Sequence, residues 1–210
     1  AIHILEKNIN KICCNNLSIN PNGIKILRKY PEKIIWGTLS SNVNAIDLIE
    51  ENLSTKGNVV CECDELIYCT CFDKKDCIDW NYLSRNYNAV PLLKKNIDKI
   101  SWFHLSSNEN PEAIKMLEEN IDEIDWFNLC ENKCPQAIKL LEENKDEIHW
   151  MPLSSNPSAI NLLKDNLDKI DWKLLSANPN AIEILEKNFD KINWWSISKN
   201  PNAIHLLEAN

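Results

Sequence analysis

The stretch Leu175-Ser176-Ala177-Asn178-Pro179-Asn180-Ala181-Ile182-Glu183-Ile184-Leu185-Glu186-Lys187-Asn188-Phe189-Asp190-Lys191-Ile192-Asn193-Trp194 decides the fold, because most of it recurs along the chain. Asn178 and Pro179 read as a helix N-cap and first helical residue, since Asn accepts an orphan amide and Pro has none to lose. Ala181, Ile182, Ile184 and Leu185 then form an apolar stripe at helical spacing, with Glu183, Glu186 and Lys187 on the other side. Asn188 marks the helix end, where Asn tolerates left-handed backbone. Asn193 reads as the cap of a second helix opened by Trp194. That helix is about two turns long and so expected to be partly 3₁₀.

Working outward, Trp36, Trp80, Trp102, Trp126, Trp150, Trp172 and Trp194 follow one another at intervals of 44, 22, 24, 24, 22 and 22 residues. An Ala-Ile pair keeps the same beat at Ala45-Ile46, Ala113-Ile114, Ala137-Ile138, Ala159-Ile160 and Ala203-Ile204. Self-similarity at this period predicts an all-α fold, an α-solenoid of 22–24-residue repeats, each one α-helix plus a short α or 3₁₀ helix. Residues 1–210 read as a single repeat array. Residues 53–79 read as a degenerate, Cys-rich repeat inside it. The Trp slots, with Ile at minus two and Leu or Ile at plus three, are expected to form the core between repeats. No polar cap is visible at either end, which suggests a longer array or ends that stack on something.

The string Leu-Ser-Ala-Asn-Pro-Asn-Ala-Ile at 175–182 resembles the Asn-Pro-x-Ala-Ile repeats of proteins encoded by giant double-stranded DNA viruses. The likeness covers nearly the whole chain apart from about residues 53–77. It implies a helical repeat fold and a viral source, hence the host cytoplasm or the virion, and it carries no catalytic residues. The alternation of one helix with a very short one is more distantly similar to the leucine-rich variant repeat, which bears on fold alone.

Composition narrows the function. No apolar run reaches the roughly 18 residues of a membrane span. A net charge of −8 opposes phosphate binding, so neither nucleic acid nor membrane is an expected partner. No phosphate loop, nucleophile elbow or paired-His metal motif is present, and the carboxylate pairs are copies of one surface pattern. The chain therefore reads as a non-enzymatic scaffold for protein–protein interaction. The alternatives are a structural component of a virion or assembly, and a metal- or redox-responsive module.

Two features single out candidate sites. Extra residues fall only after the short helix, around Glu109-Asn110 and around Lys133-Cys134, and insertions in repeat arrays mark one edge that often binds. The same region is acidic: residues 112–147 hold eleven acidic and four basic side chains. Glu118, Glu119, Asp122, Glu123, Glu142, Glu143, Asp146 and Glu147, with Glu109, Asn110 and Lys133, are thus the expected interaction surface, and a basic protein segment or other assembly subunits the expected partner.

The other feature is Cys61, Cys63, Cys69, Cys71 and Cys77, two Cys-x-Cys pairs with a fifth Cys nearby. Four thiolates can close a tetrahedral zinc site, although the spacing within each pair is tighter than usual. Plain thiols filling core space, or a disulfide, are the other readings. Nine Cys, an odd number with no secretory leader pattern, fit a reducing, intracellular compartment. Metal analysis of the reduced protein separates these readings. A zinc clip carries close to one ion per chain, as in other four-thiolate sites, and a chelator that removes it lowers stability.

Overall fold

The computed structural model describes residues 2–56 and 77–208. They form α-helices and 3₁₀ turns, with no strand among the described residues, in two compact units, Ala1–Asn108 and Glu109–Asn210. The second unit shows the repeat most fully. Pro111–Glu118 is followed by a 3₁₀ turn, Ile121–Glu123, and the short helix Trp126–Glu131. Pro135–Glu143, the turn Lys145–Glu147 and Trp150–Ser155 repeat the order. Two further copies place Trp at the start of Trp172–Ala177 and Trp194–Ile197. Within this unit the Trp-led helices pack each on the next, and Pro111–Glu118 packs on Pro135–Glu143. The first unit runs in the same order from Ile2–Lys7 to Trp102–Leu105. The all-α repeat fold expected from the spacing is observed.

The core is built from small and branched side chains rather than from Trp. Ala45, Ala89, Ala113, Ala137, Ala159, Ala181 and Ala203 are fully buried, as are Leu39, Leu83, Leu105, Leu129, Leu153, Leu175 and Ile197 three residues after each Trp. Of the Trp series only Trp36 is buried, while the other six are half-buried. This corrects the expectation of a Trp core. Trp opens a helix of four to six residues and so lies at its end, whereas the residue one turn later is enclosed by the neighbouring repeats. At Gly23, which takes the Ala slot in the first unit, a Cβ would lie 2.5 Å from the Leu17 carbonyl oxygen, so only Gly fits there.

The two Asn slots differ from expectation. The helix-ending Asn is not left-handed: φ is −138° at Asn96, −136° at Asn120, −126° at Asn144 and −134° at Asn188. Its side chain reaches back instead. The Nδ2 groups of Asn96, Asn120, Asn144, Asn166 and Asn188 donate to the carbonyl four residues earlier at 2.8–2.9 Å. One orphan carbonyl at each helix end is thereby satisfied. Asn52 departs from the pattern, because the helix Ile46–Lys56 runs straight through it.

The Asn before Pro does more than cap. Asn178 Oδ1 accepts the Asn180 amide at 3.0 Å, closing a turn, and the helix proper begins at Ile182. Both hydrogens of its Nδ2 go to the preceding repeat, to the Ser154 and Asn156 carbonyls at 3.1 Å. Asn200 bonds to Ser176 and Asn178 in the same way, and Asn156 to Cys130 and Asn132. The first unit repeats the motif at Asn42, Asn86 and Asn108. These Asn are at most 4 % exposed and form a ladder of buried rungs. In the two lengthened repeats the start differs: Asn132 Oδ1 still accepts the Cys134 amide, while Cys134 makes no side-chain cap bond. Asn110 accepts the Glu112 amide, and the helices start directly at Pro111 and Pro135.

A second ladder runs beside the first. A hydroxyl four residues after Trp donates to the Trp carbonyl at Ser84, Ser154 and Ser176, and accepts the amide that precedes the next Trp. Ser84 thus accepts from Ser101, Ser154 from Asp171 and Ser176 from Asn193, at 2.9–3.0 Å.

Most of the Cys-rich stretch read as a degenerate repeat, residues 57–76, lies outside the described residues. Asn86 bonds to the Ser40 and Asn42 carbonyls, and the Asp79 amide to the Ser40 hydroxyl. Asn42 and Asn86 are therefore directly bonded rungs, 44 positions apart in the sequence. Residues 53–56 belong to the long helix, and Asp79 caps the helix Trp80–Arg85.

Asn178→Ala removes two buried donors and a turn cap, leaving two carbonyls unpaired, and is expected to cost about 2–5 kcal/mol by denaturant unfolding. Asn188→Ala removes one partly exposed bond and should cost about 1 kcal/mol. Equal losses would mean that the rung has no special weight. Cys130 occupies a hydroxyl position, accepting the His149 amide at 3.3 Å, and burial pushes its thiol up to about 11. Its pKa is raised on folding, so the protonated thiol's contribution is intact below the ordinary value of 9.0 and lost as pH rises through about 11. Cys130→Ser should flatten the alkaline limb of the stability curve over that window, measured by thermal melting between pH 8 and 11.

Candidate functional site

The expected acidic residues fall on two equivalent places in successive repeats. Glu118 ends its helix and Glu119 caps it, with Asp122 and Glu123 in the turn that follows. Glu142 and Glu143 end the next helix, with Asp146 and Glu147 in its turn. All eight carboxylates are exposed, and the two helices that carry the glutamates pack side by side. Like charges thus recur in rows at a 24-residue offset. Lys133 is exposed in the two-residue insertion, and its carbonyl accepts the Ser158 hydroxyl at 2.9 Å. Glu109 is exposed, and Asn110 is half-buried as the cap of its helix.

Electrostatics set this surface apart. A helix C-terminus favours cations, and other repeats supply them with Lys7, Arg28 and Lys29, Lys94, or Lys187. Here four glutamates stand at that end, and Lys115 is the one basic residue in the last turn of the two helices. Elsewhere ion pairs bridge repeats: Arg28 to Glu51 at 2.7 Å, Lys29 to Glu6 at 3.1 Å and Lys95 to Glu50 at 3.0 Å. Glu183 has both Lys164 and Lys187, whose hydrogen bonds hold its carboxyl down to about 2. In the acidic rows, the pair between Glu143 and Lys139 at 3.5 Å lies within one helix. Among the described residues Glu118, Glu119, Glu142, Glu123, Asp146 and Glu147 have no ion-pair partner.

Sequence reasoning missed a series of exposed aromatic and apolar side chains that recurs in two slots of the repeat. The residue after Trp is exposed at Phe103, Phe127, Met151 and Trp195, and the residue opening the turn after the longer helix is exposed at Ile97, Ile121, Leu167 and Phe189. The signal was available, since apolar residues recur in two slots outside the helical stripe. Phe189 meets Trp194 edge-on at 5.2 Å, and Phe127 meets the His149 ring at 5.7 Å. Lysines lie over several of the indoles, among them Lys169 over Trp150 and Lys199 over Trp195.

The remaining candidates carry less chemistry. Cys61, Cys63, Cys69 and Cys71 lie outside the described residues; Cys77 is half-buried and a free thiol. Among the described residues no three His, Cys, Asp or Glu stand where they could hold a metal ion. The Cys130 thiol is held protonated by burial, the opposite of an activated nucleophile. Burial also lowers the His104 pKa, and its Nδ1 lies 2.9 Å from the Ser101 hydroxyl. His205 pairs with Glu186 at 3.0 Å. His149 makes no side-chain capping bond, whereas Asp125 and Asp171 in the same slot do.

No helix among the described residues is long and apolar enough to cross a membrane. In comparisons with known proteins, no family model, no curated protein and no solved structure matches the chain.

Proposed function

We propose that the chain is a non-enzymatic repeat scaffold that binds a basic protein segment on the carboxylate rows of residues 118–147. One observation carries this reading: of the glutamates at two successive helix ends, Glu143 alone has an ion-pair partner among the described residues, Lys139 of its own helix, where other repeats bear cross-repeat pairs. Rows of exposed like charge lower local stability, and an answering basic partner relieves that repulsion. The lengthened repeats coincide with the acidic ones, so helix length and charge distinguish the same pair. This reading has no catalytic step and involves neither nucleic acid nor a membrane. The likeness to giant-virus repeats adds a viral source, with the host cytoplasm or the virion as its location. Zinc held by the Cys-rich segment belongs to the proposal as a separate structural element, tested by the metal analysis described above.

The experiment reverses Glu118, Glu119, Glu142 and Glu143 to Lys together. Stopped-flow association with an oligo-lysine probe should slow by on the order of tenfold at low salt, and its salt dependence should flatten. An unchanged rate would move the interface elsewhere on the protein.

A further inference from the structure

The repeat carries its own template for cation binding. Lys99 Nζ lies 5.3 Å from the Trp80 ring centroid, and Lys169 Nζ lies 4.9 Å from that of Trp150. Each lysine stands three residues before the next Trp, at the end of the turn that follows the longer helix. One geometry is thus used twice, with a cation from the following repeat resting on the indole of the preceding one. At Trp172 the corresponding residue is Lys191, which lies 3.7 Å from Asp190. At Trp126 it is Glu147, the last residue of the turn Lys145–Glu147. No lysine or arginine among the described residues lies over Trp126. The indole is half-buried and the Glu147 carboxylate exposed.

The surroundings suit a basic side chain with an apolar neighbour. Phe127 is 40 % exposed and Ile121 is 45 % exposed. Ile121 holds the position from which Phe189 contacts Trp194 in the last Trp-led repeat. Asp146 adds a second exposed carboxylate beside Glu147. An indole face with a carboxylate in the cation's usual place is complementary to a charge brought from outside.

We propose that Trp126 and Glu147 receive an arginine or lysine of a basic peptide, the charge over the indole and against the carboxylate. The peptide's apolar neighbour packs on Phe127 and Ile121. This deepens the scaffold reading, on which it rests, by naming the side-chain class recognised and its point of entry.

Titration with hexa-arginine, followed through the indole ¹⁵N–H signals with Trp126 assigned by Trp126→Phe, tests it. The Trp126 signal should move most, and saturably. Glu147→Lys restores the lysine found at the corresponding position before Trp172, so the chain's own cation should occupy the indole and weaken hexa-arginine binding by about tenfold. Glu147→Gln, which removes charge without adding a competitor, should lose less. Wild-type binding by Glu147→Lys, or shifts confined to other indoles, would overturn the site. Hexa-arginine that binds without moving Trp126 removes this site and leaves the acidic rows standing; no binding at all removes both.

Discussion

Short helices in this protein end with buried carbonyls that have no partner within the helix, as at Ser18, Ser40, Ser84, Cys130, Ser154 and Ser176. A buried, unpaired carbonyl costs roughly 1–3 kcal/mol, so a stack of such ends can exist only if each is answered. Asparagine answers two at once. Its amide nitrogen has two hydrogens, which reach two carbonyls of the repeat before, and its oxygen remains to close the next turn. No buried side-chain nitrogen or oxygen among the described residues lacks a partner. Aspartate lacks the donors, and glutamine adds a methylene that the tight turn would have to absorb. The abundance of Asn, which looks like a compositional accident, follows in part from this bonding requirement.

The periodic apolar slots made the repeat legible in the sequence. The Ala of the Ala-Ile pair and the Leu three after Trp are read correctly as inward positions, because burial depends chiefly on spacing, whereas the Ile of the pair ranges from fully buried at Ile114 to exposed at Ile204. The polar inner positions were read only locally. Asn178 looked like a cap, and it is one, but the two bonds that matter most go to residues 22 and 24 positions away. Asn188 looked like a left-handed terminator because that is the commonest use of Asn at a helix end, while here the side chain solves the same problem at negative φ. Trp drew attention by size, yet the end of a short helix leaves part of most of them at the surface. Spacing alone could not show that Asn86 bonds directly to the Asn42 carbonyl, 44 positions away.

The candidate surface was half legible. Charge could be counted along the chain, so the acidic rows were found before any coordinates. The exposed series that includes Phe127, Met151 and Ile121 was not, since single apolar residues outside the stripe look like ordinary surface. What distinguishes them is recurrence in one slot of adjacent helices. The inside of each repeat is held constant by hydrogen bonds and close packing, and the outside is free to vary. Recognition can therefore change from repeat to repeat while the scaffold stays the same.

The rungs also have a direction. In every resolved case the asparagine of the later repeat donates to carbonyls of the earlier one. A chain leaving the ribosome would meet each new repeat with its acceptors already in place, on structure that is complete behind it. Nothing needs to wait for residues not yet made. Stacking of this kind suits growth by addition at one end, with each repeat serving as the seed for its successor, and it keeps apolar faces exposed for little longer than one repeat takes to emerge.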